Sequence, residues 1–256
     1  MFSSAEMQLL YKVGNAPIQT FPYPHILVHD VFPADFYERL RANLPPRDAY
    51  RTLKSLGRVG GDYPDTRGVL PLTPDNVATL PDPCRGFWNE TGQWLLGGSF
   101  AQVVLNKFGP LLAQRFPNPA AVNFRHEVLV IQDRTNYALG PHTDSPRKVL
   151  SFLFYLPGDD SRPHLGTSMY LPKDPSFTCP GGPHHPFEMF HRLLTVPYVP
   201  NTLFAFMKTP NAFHGVEPIS DPDVERALML YDIYSGNLPA AQPTPAATPP
   251  RTQFSF

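Results

Sequence analysis

The chain has 256 residues, enough for one large domain, and its hydrophobic content of 42% is sufficient for a core. The formal net charge of −1 gives no electrostatic drive towards nucleic acid or anionic membranes, and no apolar run approaches the roughly 18 residues of a membrane-spanning helix. Two cysteines cannot build a disulfide framework and the first residues lack a basic and apolar leader, so we expect a cytoplasmic protein with neither a membrane nor a nucleic-acid partner.

The first half of the chain is mainly helical in pattern. Residues 1–24 show no clear period, and a short strand is predicted at 25–29, followed by a helix that Pro45 ends. Helical spacing returns from 74 to 116. Between these helical regions, the polar segment 47–72 carries five scattered basic residues and is predicted to be a loop that is either solvated or binds an anion.

Strand patterns dominate from residue 122 onwards. About seven or eight short apolar runs follow one another, separated by turn residues and by an insertion loop at 172–191 that is rich in proline and histidine. The tail 238–256 is rich in proline, alanine and threonine and is predicted to be disordered. Helices first and strands later predict an α+β fold, with an antiparallel sandwich or barrel that carries the site.

We expect these segments to form a single structural domain. Its core would be residues 122–237, and the strand and helices of residues 1–121 would pack on that core.

A His-x-Asp pair is the first candidate for chemistry. His142 and Asp144 precede the apolar run 148–156, and residues two apart on an extended segment project to the same side. His214 has a second suitable setting, just past the apolar run 202–207. Two imidazoles and one carboxylate on one face of an octahedron leave three positions open, which suits non-haem Fe(II) when a co-substrate and oxygen must both reach the metal.

The other histidines are predicted to be structural or exposed. His184, His185 and His191 are the main rival group of metal-ligand residues. However, adjacent side chains on an extended chain point to opposite sides, and the surrounding prolines and glycines indicate a loop. A metal site in this loop is therefore the weaker alternative.

Arg226 begins an apolar run and shares one face with Leu228 and Leu230 by alternation. A charged residue that points inward without a partner is costly. The guanidinium therefore either pairs at the rim with an acid such as Glu225 or Asp232, or pairs with an anion inside. A carboxylate ligand would suit the planar, bidentate geometry of arginine.

In this order, the motifs resemble the Fe(II)- and 2-oxoglutarate-dependent dioxygenase family, particularly its prolyl 4-hydroxylase-like branch. The resemblance covers roughly residues 122–235, and the strand and helix at 22–45 are similar to the same branch. The segments that carry it are His142-x-Asp144, Phe154-Tyr155-Leu156, Gly166–Pro172, Pro200–Phe206, His214-Gly215-Val216 and Arg226.

The resemblance implies a double-stranded β-helix, which is a jelly-roll-like barrel, with N-terminal supporting helices and the metal at its open end. By position it implies that His142, Asp144 and His214 hold Fe(II) and are the catalytic residues. It further implies that the variable segments 47–72 and 172–191 wall the substrate pocket.

The resemblance also assigns the co-substrate contacts. Arg226 would pair with the distal carboxylate of 2-oxoglutarate, Tyr155 would hydrogen-bond that carboxylate, and Gln132 would lie near the co-substrate. The implied activity is hydroxylation of a small-molecule or peptide substrate by O₂, with decarboxylation of 2-oxoglutarate to succinate. The family also allows ascorbate as an additional cofactor. The substrate and the oligomeric state stay open.

Two other classes of protein compete with this interpretation. One is a non-catalytic barrel that senses 2-oxoglutarate or a metal, which the loss of a metal ligand would favour. The other is a cupin-like metalloenzyme that works without 2-oxoglutarate, which would leave Arg226 and Tyr155 without a role.

Overall fold

The computed structural model describes residues 3–60 and 63–236. The tail at 238–256 lies outside these residues, so its disorder stays a prediction. Within the described ranges, no helix is long and apolar enough to cross a membrane.

Most of the helices lie in the first half of the chain, as the periodicity predicts. The first helix was not expected, because residues 1–24 show no clear period. It begins where the Ser3 hydroxyl accepts a hydrogen bond of 3.1 Å from the Glu6 N–H, and it buries Leu9 and Val13. The α-helices of the described residues are α1 (Ser4–Asn15), α2 (Ala34–Ala42), α3 (Pro74–Ala78), α4 (Cys84–Leu95), α5 (Ser99–Lys107) and α6 (Gly109–Arg115).

The strands of the described residues form two antiparallel sheets. They are β1 (His25–His29), β2 (Arg51–Thr52), β3 (Arg67–Pro71), β4 (Phe124–Arg134), β5 (Leu139–His142), β6 (Lys148–Tyr155), β7 (Ser168–Pro172), β8 (Phe190–Thr195), β9 (Thr202–Met207), β10 (His214–Val216) and β11 (Glu225–Ser235). The larger sheet has the order β1-β9-β6-β11-β4-β3-β2, and the smaller sheet has the order β5-β10-β7-β8. This mixture of helices and antiparallel sheets confirms the predicted α+β class.

The segment 47–72 is not only a loop, as the sequence predicted. Its residues 67–71 form β3, which pairs with β4 from Arg67 opposite Asp133 to Pro71 opposite Leu129. The pattern missed this strand because it is short and its pairing partner lies about 60 residues further along the chain.

The larger sheet is covered on both faces. Alternate residues of its central strands, such as Val130, Phe152 and Met229, pack with the helices in the main hydrophobic core. The intervening residues, such as Ile131 and Leu228, belong to a separate apolar cluster on the opposite face. Burial on both faces explains why these strands read as nearly continuous apolar runs.

The contact between α5 and the sheet should contribute strongly to stability. The Phe100 ring is fully buried and lies edge-on to Phe152 and Tyr231, with ring centres 5.2 and 4.9 Å apart. We expect Phe100→Ala to lower the free energy of unfolding by about 3–5 kcal/mol in urea titrations, because it leaves a cavity in the core. Tyr11→Ala, at a position 70% exposed on α1, should change it by less than about 0.5 kcal/mol. Equal effects of the two changes would contradict the described packing.

Candidate metal centre and the cavity around it

The structure brings His142, Asp144 and His214 together. One potential ligand atom from each residue lies within 4.8 Å of those from the other two. Strand pairing causes this proximity, because His142 at the end of β5 lies directly opposite His214 at the start of β10. The two imidazole rings are 4.3 Å apart between centres, and Asp144 follows His142 by two residues as the alternation argument requires.

Backbone carbonyl groups orient both imidazoles. Nδ1 of His142 lies 3.0 Å from the Gly140 carbonyl oxygen, and Nδ1 of His214 lies 2.9 Å from that of Ala212. A carbonyl oxygen only accepts, so each Nδ1 carries the proton and each Nε2 keeps its lone pair. This is the tautomer that a metal-binding histidine needs.

The protonation states of the three residues suit a metal. Burial lowers the pKa of both His142 and His214 below the ordinary value, so both rings are neutral at pH 7. Burial alone would raise the pKa of Asp144, but the charge of Lys148, with a hydrogen bond of 2.8 Å from the Ser151 hydroxyl, brings it below its ordinary range. The carboxylate is therefore ionised.

The rival histidines do not form a second cluster. In the described part of the chain, His142, Asp144 and His214 are the one group of His, Cys, Asp or Glu residues that could hold a metal. His184 instead lies beside the triad, with its ring centre 4.7 Å from that of His142. The His185 ring lies among aromatic residues, and the backbone N–H of His185 donates to the Pro141 carbonyl at 2.9 Å.

Arg226 is fully buried, and its ion-pair partner differs from the acids considered from the sequence. Its Nη1 donates to Asp133 Oδ2 at 2.6 Å, and its Nε donates to the Leu165 carbonyl. The rim salt bridge with Glu225 or Asp232 is therefore wrong. Asp133 also forms a two-pronged ion pair with Arg67, at 2.6 and 2.8 Å, so two guanidinium groups share one carboxylate.

Two buried polar atoms, one on Arg226 and one on Thr167, lack a hydrogen-bond partner among the described residues. These atoms are Nη2 of Arg226 and Oγ1 of Thr167. The Thr167 N–H donates to the Tyr155 hydroxyl oxygen at 3.0 Å, and because that oxygen accepts, its own proton stays available to another acceptor. The Tyr155 ring centre is 5.8 Å from the guanidinium carbon of Arg226, so these two predicted residues lie together.

Gln132 is not brought to this cluster. Side chains alternate along β4, and Gln132 shares its face with Val128 and Val130, which pack towards the helices, whereas Asp133 points to the other face. Its side-chain oxygen accepts a hydrogen bond of 3.4 Å from Arg134. The resemblance assigns a co-substrate role to Gln132 by position alone, but β4 directs this side chain to the face that packs with the helices.

One cavity of about 440 Å³ is lined by the metal triad at one place and by Arg226 and Thr167 at another. As expected, both variable segments contribute to its wall, with His184 from the segment 172–191. Three of the five basic residues of 47–72 are ion-paired, Lys54 with Asp65, Arg58 with Glu127 and Arg67 with Asp133. Lys54 and Arg58 each have an acid of their own, which disfavours an anion-binding role for these two. The aliphatic part of the wall consists of Leu53, Val59, Val69, Leu129, Ile131, Leu139, Leu153, Val216 and Leu230.

Sequence reasoning did not single out two charged residues that matter here. Asp133 could have been found, because it continues the alternation of Leu129 and Ile131 and so faces the same side as they do. Lys148 comes four residues after Asp144, and its Nζ lies 3.3 Å from Asp144 Oδ1. No rule of strand spacing predicts that contact, because the chain turns between the two residues.

Comparisons with known proteins support the fold. A scan against protein-family models finds no match, and a comparison with curated proteins finds none either. The chain is similar to the structure of a prolyl-4-hydroxylase from Pseudomonas putida, at 15% sequence identity and a TM-score of 0.50, over 91% of this chain and 100% of that one. It is also similar to SnoK, a non-haem α-ketoglutarate-dependent carbocyclase from nogalamycin biosynthesis, at 11% identity and a TM-score of 0.51, over 94% of this chain and 91% of that one. The chain has the fold of these two proteins, which confirms the resemblance at the level of fold.

The triad makes a direct prediction about metal binding. Asp144→Ala should lower the affinity for Mn(II) by more than about 100-fold, because a lost ligand costs more than the 10- to 100-fold typical of a lost outer contact. His191→Ala, which changes a histidine on β8 outside the triad, should leave the affinity within about twofold. Calorimetric titration with Mn(II) measures both. Unchanged affinity in Asp144→Ala would remove the triad from consideration.

The lowered histidine pKa values predict a weak pH dependence of metal binding. An ordinary imidazole with a pKa near 6.5 is half protonated at that pH and then competes with the metal. Because burial lowers the pKa of His142 and His214, both stay neutral at lower pH. We expect the Mn(II) affinity to change by less than about twofold between about pH 8 and 6.5. A decline of about fourfold over that range, which two rings each half protonated at pH 6.5 would give, would show that the rings titrate normally.

Proposed function

We propose that the protein is an Fe(II)- and 2-oxoglutarate-dependent oxygenase that hydroxylates a substrate. In this proposal the two sheets form a double-stranded β-helix, residues 122–237 are its catalytic core, and the helices of residues 1–121 pack on it. The observation that carries the proposal is one cavity with two features, a complete His-Asp-His triad and a buried arginine whose Nη2 is left open by every described residue.

The donor set fits non-haem iron. Two neutral imidazoles and one carboxylate offer three ligand atoms and leave further positions for other ligands. The hydrogen bonds from Nδ1 to backbone carbonyls and from Ser151 to Asp144 fix the orientation of the three side chains. His142, Asp144 and His214 would therefore hold the metal.

The region around Arg226 fits the distal carboxylate of 2-oxoglutarate. Arg67 and Arg226 share the single negative charge of Asp133, so this buried group of three has one excess positive charge. Such a charge favours an anionic ligand, and Arg226 Nη2 and Thr167 Oγ1 can both donate to it. The Tyr155 hydroxyl would add a third donor.

The proposed reaction divides into what the cofactors supply and what the chain supplies. When bound, iron and 2-oxoglutarate supply the activation of O₂, in which 2-oxoglutarate is converted to succinate and CO₂ while a substrate C–H bond is hydroxylated. The chain orients three ligands, holds the distal carboxylate and keeps the imidazoles neutral. Its aliphatic wall provides an apolar surface beside the site.

The cavity favours a small molecule as the substrate. A volume of about 440 Å³ lies within the roughly 300–1,000 Å³ of small-molecule sites. The aliphatic residues of the wall would contact an apolar part of the substrate. The triad lacks none of its three ligands, which favours a catalytic protein over a barrel that only senses 2-oxoglutarate.

Arg226 offers the test of this proposal. Arg226→Met should weaken 2-oxoglutarate binding to the Mn(II)-loaded protein by roughly 10- to 150-fold, which corresponds to about 1.5–3 kcal/mol for a hydrogen bond to a charged group. Thr167→Val should weaken it by up to about tenfold. Calorimetry measures both, and release of succinate from 2-oxoglutarate with Fe(II) and O₂ should decline in parallel.

The matched control is Arg192→Met. Arg192 lies on β8 with a side chain 56% exposed and pairs with Glu217 at 3.8 Å. This variant should bind 2-oxoglutarate within about twofold of the wild type, because a surface ion pair contributes little. If Arg226→Met and Thr167→Val folded normally and bound 2-oxoglutarate as well as Arg192→Met, the assignment would be wrong.

A further inference from the structure

A lysine bridges the metal triad and a second buried acid. Lys148 Nζ lies 3.3 Å from Asp144 Oδ1 and 2.9 Å from Asp232 Oδ2, and the lysine side chain is only 14% exposed. Lys148 begins β6, and its backbone pairs with Tyr234 of β11 next to a β-bulge, so the sheet places the start of this side chain. One ammonium group thus serves two carboxylates, of which one is a ligand of the proposed metal.

Asp232 is incompletely satisfied. It is 1% exposed, and its Oδ2 accepts from Lys148 and, at 3.3 Å, from the Tyr234 hydroxyl. Its Oδ1 is buried and meets no hydrogen-bond donor in the ranges 3–60 and 63–236. A buried carboxylate oxygen without a donor is costly, so a second contact with the ammonium of Lys148 would stabilise it.

The surroundings of Asp232 hold it in place. The Tyr234 hydroxyl lies 3.0 Å from Glu127 Oε1, so the two acids share its one proton, and Glu127 forms an ion pair of 2.6 Å with Arg58. Both acids line the same cavity as the triad. Asp232 is therefore a fixed partner, whereas the flexible four-carbon stem of Lys148 allows its ammonium group to shift between the two carboxylates.

A divalent ion at the triad changes the balance for Lys148. The ion would lie next to the carboxylate that Lys148 contacts, and like charges at such short range repel each other strongly. A lysine held by Asp144 therefore competes with the metal. A lysine that pairs with Asp232 competes less with the metal, because the carboxylate of Asp232 neutralises its charge.

We propose that Lys148 is a positioning residue that acts as an exchangeable counter-ion for the metal site. Before metal binds, its ammonium group contacts both Asp144 and Asp232. Metal binding at Asp144 transfers the ammonium fully to Asp232, where Oδ1 accepts it. Asp232 thus favours metal binding by taking up the lysine that competes for the ligand. The inference rests on the metal site of the proposed function and is independent of 2-oxoglutarate.

Titration of the full chain with Mn(II), without 2-oxoglutarate, tests the exchange. Lys148→Met removes the competitor and should raise the Mn(II) affinity by about tenfold, within the range of coupled charged neighbours. Asp232→Asn removes the alternative partner and should lower the affinity by about tenfold. The control Lys54→Met, which breaks the ion pair of 3.1 Å with Asp65, should stay within about twofold.

A double-mutant cycle separates exchange from a simple electrostatic field. A field alone predicts the same signs, but it also predicts that Asp232→Asn weakens metal binding equally in both backgrounds. With exchange, Asp232→Asn in the Lys148→Met background should weaken binding by less than about threefold, because no lysine remains to be taken up. Lys148→Gln provides a second background if Lys148→Met does not fold.

Two results overturn the inference while leaving the metal site intact. One is an affinity of Lys148→Met and Lys148→Gln that equals or falls below that of the wild type. The other is an equal effect of Asp232→Asn with and without the lysine. If the wild type itself did not bind Mn(II), the proposed function would fail first.

Discussion

The buried guanidinium of Arg226 is the constraint on which the account of this protein depends. A fully buried cation must be neutralised, and Asp133 does this only in part because it also binds Arg67. The nearby Tyr155 and Thr167 provide donors rather than further acceptors. The site is thus suited to an anion. Because Arg226 and the triad line the same cavity, that anion and the proposed metal would lie in one site.

The insertion loop and a buried lysine contact the segment that carries His142 and Asp144. Thr143, between His142 at the end of β5 and Asp144, donates from its hydroxyl to the Cys179 carbonyl at 2.9 Å, and Lys208 Nζ donates to the same hydroxyl at 3.1 Å. Gly181 lies so close that an added Cβ would meet the Asp144 carbonyl oxygen at 2.5 Å. The loop 172–191, predicted from sequence to be an insertion, therefore supports the segment that carries two of the proposed metal ligands.

Local rules predicted the residues of the site better than their partners. Alternation along a strand placed His142 with Asp144, and Arg226 with Leu228, because such spacing depends only on the backbone. The pairing of Arg226 with Asp133 and of Lys148 with Asp144 depends on how strands align or on how a turn folds, which no local pattern contains. Gln132 was assigned by its distance in sequence from His142, and that distance does not show to which face of the strand its side chain points. The fold class followed from the order of helices and strands, but β3 and α1 did not.

A crystal structure of the protein grown with Mn(II) and 2-oxoglutarate would test the central claim most directly. We predict an anomalous metal signal between His142, Asp144 and His214. We also predict the distal carboxylate of 2-oxoglutarate within about 3.2 Å of Arg226 Nη2 and Thr167 Oγ1. A metal bound elsewhere, or a 2-oxoglutarate whose distal carboxylate does not contact Arg226, would contradict the account.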